Sequence, residues 1–208
     1  MQIAILTFDG FNELDSFIAA GILNRMSPKG WKAHITTPTP TVTSMNGVTI
    51  QGERGLDFAK QADAVIVGSG IKTREIAQDS RLLGRISLDP TRQLIGAQCS
   101  GTLLLAKMGL LGDCPACTDL TSKPWVIEAG VRVLDQPFYA EGNVATAGGC
   151  LASQYLAGWL LLRGASRADA EAALHYVAPV GQKAEYVQRA LASVEPYLTH
   201  TPLAGAVR

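Results

Sequence analysis

The segment Gln93-Leu-Ile-Gly-Ala-Gln-Cys99-Ser-Gly101-Thr-Leu-Leu-Leu-Ala constrains this chain more than any other stretch. A short apolar strand runs into a cysteine, then a glycine, then an apolar helix. This is the pattern of a nucleophile elbow, a sharp strand-to-helix turn with small residues two places before and two places after the reactive residue. Ala97 and Gly101 hold those two places. They must be small because the turn is tight and neighbouring backbones come close. A cysteine at a helix start also faces unpaired amides, which favour the thiolate and lower its pKa from about 8.5 toward roughly 3.5–7.5. A lone cysteine is otherwise most often a small core residue. The complete strand–elbow–helix pattern favours Cys99 as a nucleophile.

Apolar strand-like runs alternate with helical ones on both sides of the elbow. Strands are predicted at Ile3 to Phe8, Trp31 to Thr37, Ala64 to Val67 and Leu94 to Gln98, with a pair at Phe138 to Ala140 and Asn143 to Ala147. Thr41 to Gln51 alternates around Asn46-Gly47, a hairpin signal. Helices are predicted at Phe11 to Met26, with Leu14, Phe17, Ile18, Ile22 and Leu23 on one face, and over Lys72 to Leu88 in two pieces. Others follow at Thr102 to Met108, Lys123 to Ala129, Leu151 to Leu162, Arg167 to Val177 and Lys183 to Leu198, with a short strand at Ala116 to Thr118. The alternation implies an α/β sheet covered by helices on both faces. With 208 residues, one core suffices: residues 1–200 read as a single domain and 201–208 as a frayed tail.

The formal net charge is zero, which gives no reason to expect a nucleic-acid or acidic-membrane partner. No apolar run reaches membrane-spanning length, and Met1 to Phe8 reads as a first strand, not a signal peptide. Four cysteines do not make a disulfide scaffold in a chain of this size, so a reducing cytoplasm is the expected compartment. Cys114-Pro-Ala-Cys117 has C-x-x-C spacing, but no second pair and no nearby histidine completes a metal site, so neither metal nor cofactor is expected. In sheets of this kind sites form beyond the carboxyl ends of strands. Asp9 to Asp15, Gly68-Ser69-Gly70, Cys99-Ser100, Asp119 and Gly148-Gly149-Cys150 all fall at such ends.

With these residues in view, the chain resembles the ThiJ/PfpI superfamily, a flavodoxin-like branch related to class I glutamine amidotransferases. The resemblance covers roughly residues 1 to 165. It is carried by Ile3 to Asp15, Asp63 to Gly70, Ala97 to Leu111 and Asn143 to Cys150. It implies a flavodoxin-like sandwich with a mostly parallel sheet, and commonly a homodimer. Leu14-Asp15 looks most like the isocyanide hydratase group; the chain is also similar to the amidotransferase-like sensor domain of some transcription regulators. By that motif Asp15 matches the hydratase acid. Glu13 beside it is expected to face solvent.

Protease-like and amidotransferase-like relatives carry a histidine about twenty residues after the nucleophile, where this chain has Asp119. His34, His175 and His200 have no evident route to Cys99, so a histidine-dependent triad is not expected. A Cys99/Asp15 dyad needs none. The resemblance therefore implies a lyase that hydrates a small isocyanide to a formamide. Ser100 and Gly70, with Ser69, would supply oxyanion or substrate contacts, although Gly70 also reads as a turn glycine. Cys150 reads as a pocket wall, a disulfide partner for oxidised Cys99, or a small core residue. Trp125 and Trp159 read as packing residues. A non-catalytic redox or electrophile sensor, and glyoxalase- or deglycase-like chemistry on small aldehydes, are the alternatives.

Overall fold

The structure is a computed structural model that describes residues 1–198; the expected tail from Thr201 and His200 lie outside the described residues. Nine strands and eight α-helices are found there: β1 (Gln2–Leu6), α1 (Glu13–Leu23), β2 (Lys32–Thr37), β3 (Thr41–Thr43), β4 (Thr49–Gln51), β5 (Arg54–Gly55), β6 (Ala64–Val67), α2 (Thr73–Ile76), α3 (Ser80–Leu83), β7 (Leu94–Gln98), α4 (Gly101–Lys107), α5 (Lys123–Glu128), β8 (Phe138–Glu141), β9 (Val144–Ala147), α6 (Ser153–Gly164), α7 (Arg167–Val177) and α8 (Lys183–Val194). Seven strands form one sheet in the order β5-β2-β1-β6-β7-β9-β8, while β3 and β4 pair as the hairpin that Asn46-Gly47 predicts. Every neighbour in the large sheet is parallel except β8 against β9. This is the flavodoxin-like α/β fold.

Parallel strands covered on both faces must be apolar on both. All four residues of β6 and all five of β7 are buried. One face packs against α1, α6, α7 and α8 through Ile22, Leu23, Leu156, Trp159, Leu160, Leu174 and Leu191. The other carries α4 and α5 through Leu103, Leu104, Leu105 and Val126. No helix among the described residues is long and apolar enough to cross a membrane.

Two helices differ from expectation in ways that bear on the site. The first is shorter than predicted, because the Asn12 side chain accepts from the Leu14 amide and caps α1 there. It is also rotated. Leu14 and Phe17, predicted to face the core, are 51% and 39% exposed, while Asp15 and Ser16 are fully buried. Hydroxyls at the strand ends make that burial possible: Ser16 Oγ meets Thr7 Oγ1 at 3.1 Å, and Ser69 Oγ donates to Asp15. The predicted Leu151 to Leu162 helix begins as a 3-10 turn at Cys150–Ala152, which carries Cys150 beside the first turn of α1. The predicted strand at Ala116 to Thr118 is reduced to a single bridge, Ala116 to Val133.

Candidate active site

The order of the sheet reverses between β1 and β6: β2 lies to one side of β1, and β6, β7 and β9 to the other. Ligands bind at such a reversal, outside the carboxyl ends of the strands. Here those ends deliver Asp15 after β1, Ser69 after β6, Cys99 after β7 and Cys150 after β9.

The elbow forms as its sequence requires. Cys99 has φ 47°, the only positive φ of a non-glycine residue among those described. Such a conformation costs about 1–3 kcal/mol and persists only where surroundings over-determine it. Both of its backbone polar groups are held: the Cys99 amide donates to Ala147 O at 2.8 Å, and Thr118 Oγ1 donates to Cys99 O at 2.8 Å. Gly101 is required because a Cβ there would lie 2.7 Å from Gly68 O and closer still to Val67 O. Ala97 is fully buried in β7.

A carboxylate oxygen of Asp15, Cys99 Sγ and Cys150 Sγ all lie within 4.8 Å of one another. Asp15 Oδ2 accepts from Ser69 Oγ, whereas the buried Oδ1 has no hydrogen-bond partner. Burial raises the Asp15 pKa, and the Ser69 hydroxyl opposes that shift only in part. The expected low pKa of Cys99 is overturned. Burial first, and then the neighbouring Asp15 carboxylate, push its thiol well up. Among the described residues, no lysine, arginine or histidine lines the cavity above it to offset either effect. Burial thus disfavours the charged form of both members of the dyad, and the two sit close enough to oppose each other's ionisation.

The other expected residues divide by what their polar atoms touch. Ser69 lines the cavity, but its hydroxyl holds Asp15. The Gly70 amide is already engaged, donating to Ser100 Oγ at 3.2 Å, and is not the free oxyanion donor anticipated for it. A Cβ at Gly70 would sit 2.8 Å from Phe11 Cα, so close backbone approach also demands this glycine. Ser100 Oγ additionally meets Thr73 Oγ1 at 2.8 Å. Cys150 is half-buried and lines the cavity. Glu13 does not simply face solvent: it accepts from Ser44 Oγ at 2.5 Å and Asn46 Nδ2 at 2.8 Å, pinning the hairpin tip to α1.

Sequence reading missed Asn12, Gln98 and Trp125. Asn12 Nδ2 donates to Cys150 Sγ at 3.2 Å while its Oδ1 caps α1. Gln98 Nε2 reaches Cys99 Sγ at 3.3 Å and Gly149 O at 2.8 Å. A capping asparagine and a glutamine inside an apolar strand were the available signals. Trp125, taken as packing, lines the cavity, whereas Trp159 is fully buried as expected.

The cavity holds about 350 Å³, with Met45, Ile71 and Trp125 as its apolar walls and Asp119 on one side. Asp119 Oδ1 accepts from the Thr121 and Ser122 amides at 2.9 and 3.0 Å, so it organises the turn into α5. His34 is buried in β2 with Nε2 3.0 Å from Gln2 Oε1, and His175 lines a different groove between α7 and α8. Neither lines the cavity of Cys99.

Residues 1–162 match the model of the DJ-1/PfpI family. The chain belongs to that family. Among solved structures it is similar to Schizosaccharomyces pombe DJ-1, at 21% identity and TM-score 0.72, over 86% of this chain and 100% of that one. It is similar to a ThiJ/PfpI family protein from Pseudomonas syringae, at 20% identity and TM-score 0.74, over 93% of this chain and 90% of that one. Drosophila melanogaster DJ-1beta matches at 19% identity and TM-score 0.71, over 85% of this chain and 96% of that one. A comparison with curated proteins finds no match. At these identities the structural likeness carries the fold alone. The DJ-1/PfpI chain described here therefore rests, for its chemistry, on a cysteine beside a buried acid.

Proposed function

We propose that this DJ-1/PfpI protein hydrates small isocyanides to N-substituted formamides. The observation that carries the reading is the Asp15 carboxyl beside Cys99 Sγ, in a cavity that neither described histidine enters. An acid that must deliver a proton near neutral pH needs a raised pKa, and burial moves Asp15 that way. Cys99 sulfur attacks the terminal isocyanide carbon as Asp15 protonates that carbon. The thiol proton passes to Asp15, leaving a thioimidate bonded to Cys99. Water then adds across the C=N bond. The C–S bond breaks, Cys99 regains its proton, and the formamide departs. The apolar walls formed by Met45, Ile71 and Trp125 suit an uncharged substrate. The Ser100 backbone amide, at the N-cap of α4, is the donor we assign to charge developing near the sulfur.

The test is formamide formation from a simple aryl or alkyl isocyanide, with parent, Cys99→Ala and Asp15→Asn proteins run side by side. Cys99-dependent formamide supports the reading. No product, with Cys99 gaining oxygen under mild peroxide, would replace it with a redox-sensing role. We also propose that the exposed Leu14, Phe17 and Met45 are covered by a second copy of the chain. A monomeric mass in light scattering would remove that part.

A further inference from the structure

We propose that Asp15, Cys99 and Cys150 bind one thiophilic divalent cation of the zinc and cadmium class at the floor of the cavity. Their candidate ligand atoms come from three separate segments, yet lie within 4.8 Å of one another. In a tetrahedral site, bonds of about 2.0–2.3 Å place ligand atoms roughly 3.3–3.8 Å apart. Small side-chain rotations close that difference. Two sulfurs and one carboxylate oxygen form a donor set that borderline-soft ions prefer over magnesium or calcium.

A second, independent observation points the same way. Asp15 is fully buried, and beyond Ser69 Oγ on Oδ2 its carboxylate has only the two thiols beside it, with no nitrogen or oxygen donor on Oδ1. A buried carboxylate oxygen left so is costly unless something binds it. The two sulfurs are themselves held, Cys99 by Gln98 Nε2 and Cys150 by Asn12 Nδ2. Donors of this kind orient ligand atoms and temper the charge on a metal-bound thiolate. All three groups are anionic when deprotonated, and among the described residues no cationic side chain lines the cavity. A divalent ion supplies the missing positive charge. It forms two metal–sulfur bonds and one metal–oxygen bond, and the two thiol protons leave to solvent. The fourth position opens toward the cavity.

A bound ion holds Cys99 and Asp15 and so competes with hydration; binding is read without turnover and is tested independently of that reading. Reduced, chelator-treated protein is titrated with cadmium(II), following the ultraviolet thiolate-to-metal charge-transfer band and the heat of binding. One ion per chain is expected, with a band of two-thiolate intensity. Cys150→Ser should lose about half of the band, and Asp15→Asn should weaken binding by about tenfold or more. Cys114→Ser should behave as the parent, and circular dichroism confirms that each variant is folded. Absence of a band in the parent, or a band of full parental intensity in Cys150→Ser, overturns the site. Unchanged affinity in a folded Asp15→Asn overturns the three-ligand assignment.

Discussion

The four cysteines form two pairs that teach opposite lessons. Cys114 and Cys117 have the spacing that a sequence reader notices, but they look to different neighbours. Cys114 is perturbed, after burial, by Glu141 on β8, while the fully buried Cys117 donates its backbone amide to Thr146 Oγ1 on β9 at 2.8 Å. Burial pushes the Cys117 thiol up to about 12, which leaves it an inert core group. Cys99 and Cys150 have no recognisable spacing, yet the sheet brings both to Asp15. Proximity along the chain says little here about chemistry. Proximity to the reversal point of the strand order says a great deal.

That contrast can be broken, and the largest effect sits at the elbow. Cys99→Ala should abolish formamide formation, whereas Cys114→Ser and Cys117→Ser should keep the parental rate; loss of turnover in either of the latter would erase the distinction between the pairs. Asp15→Asn should remain folded and lose on the order of 10²–10⁴-fold in rate, as expected when a general acid is removed. A pH profile sharpens the point. Turnover of the parent should fall as pH rises through the raised pKa of Asp15, because the acid form is then lost.

Stability should follow the same group. Because the folded pKa of Asp15 lies above its unfolded value, its contribution is fully present below the ordinary carboxyl value of 3.8 and is lost as pH rises through the folded pKa. The thermal stability of Asp15→Asn, which cannot ionise, should therefore gain on the parent across that window; parallel curves would mean that Asp15 carries no linked proton. Cys117→Ser buries a hydroxyl in place of a thiol and should cost about 1–3 kcal/mol in chemical denaturation. Cys114→Ser, at a partly exposed position, should change stability by less than about 0.5 kcal/mol.

Much of this architecture was readable from local pattern. β6, β7 and α7 occur where apolar runs and helical periodicity place them, and Asn46-Gly47 marks a real hairpin. Each of these signals is local and repeated. The rotation of α1 was not legible, because periodicity assigns Leu14 and Phe17 inward. Only the hydroxyls of Thr7 and Ser69, on other elements, make the inverted burial of Asp15 and Ser16 affordable. The thiol of Cys99 was misjudged for a related reason. A helix start favours the thiolate, but the surrounding burial and the Asp15 carboxylate are tertiary facts. Cys99 and Asp15 were found because an elbow and a family motif mark them. Asn12, Gln98 and Trp125 were missed because nothing in their own neighbourhood of sequence says what they touch.

The backbone bond from Cys99 N to Ala147 O ties the elbow to a strand that follows it by nearly fifty residues. In a chain emerging from the ribosome, β7 is therefore made well before the strand that will cover its open edge. Until β9 arrives, that edge is unpaired and the Cys99 backbone amide lacks its Ala147 anchor. Long-range parallel pairing of this kind is slow and leaves edges open to other chains. The interval between synthesis of Gln98 and of Ala147 is thus when a nascent chain is most exposed to aggregation and to oxidation at Cys99. Ribosome-bound chains halted after residue 143, just before β9, should label at Cys99 with an alkylating agent far faster than the finished protein.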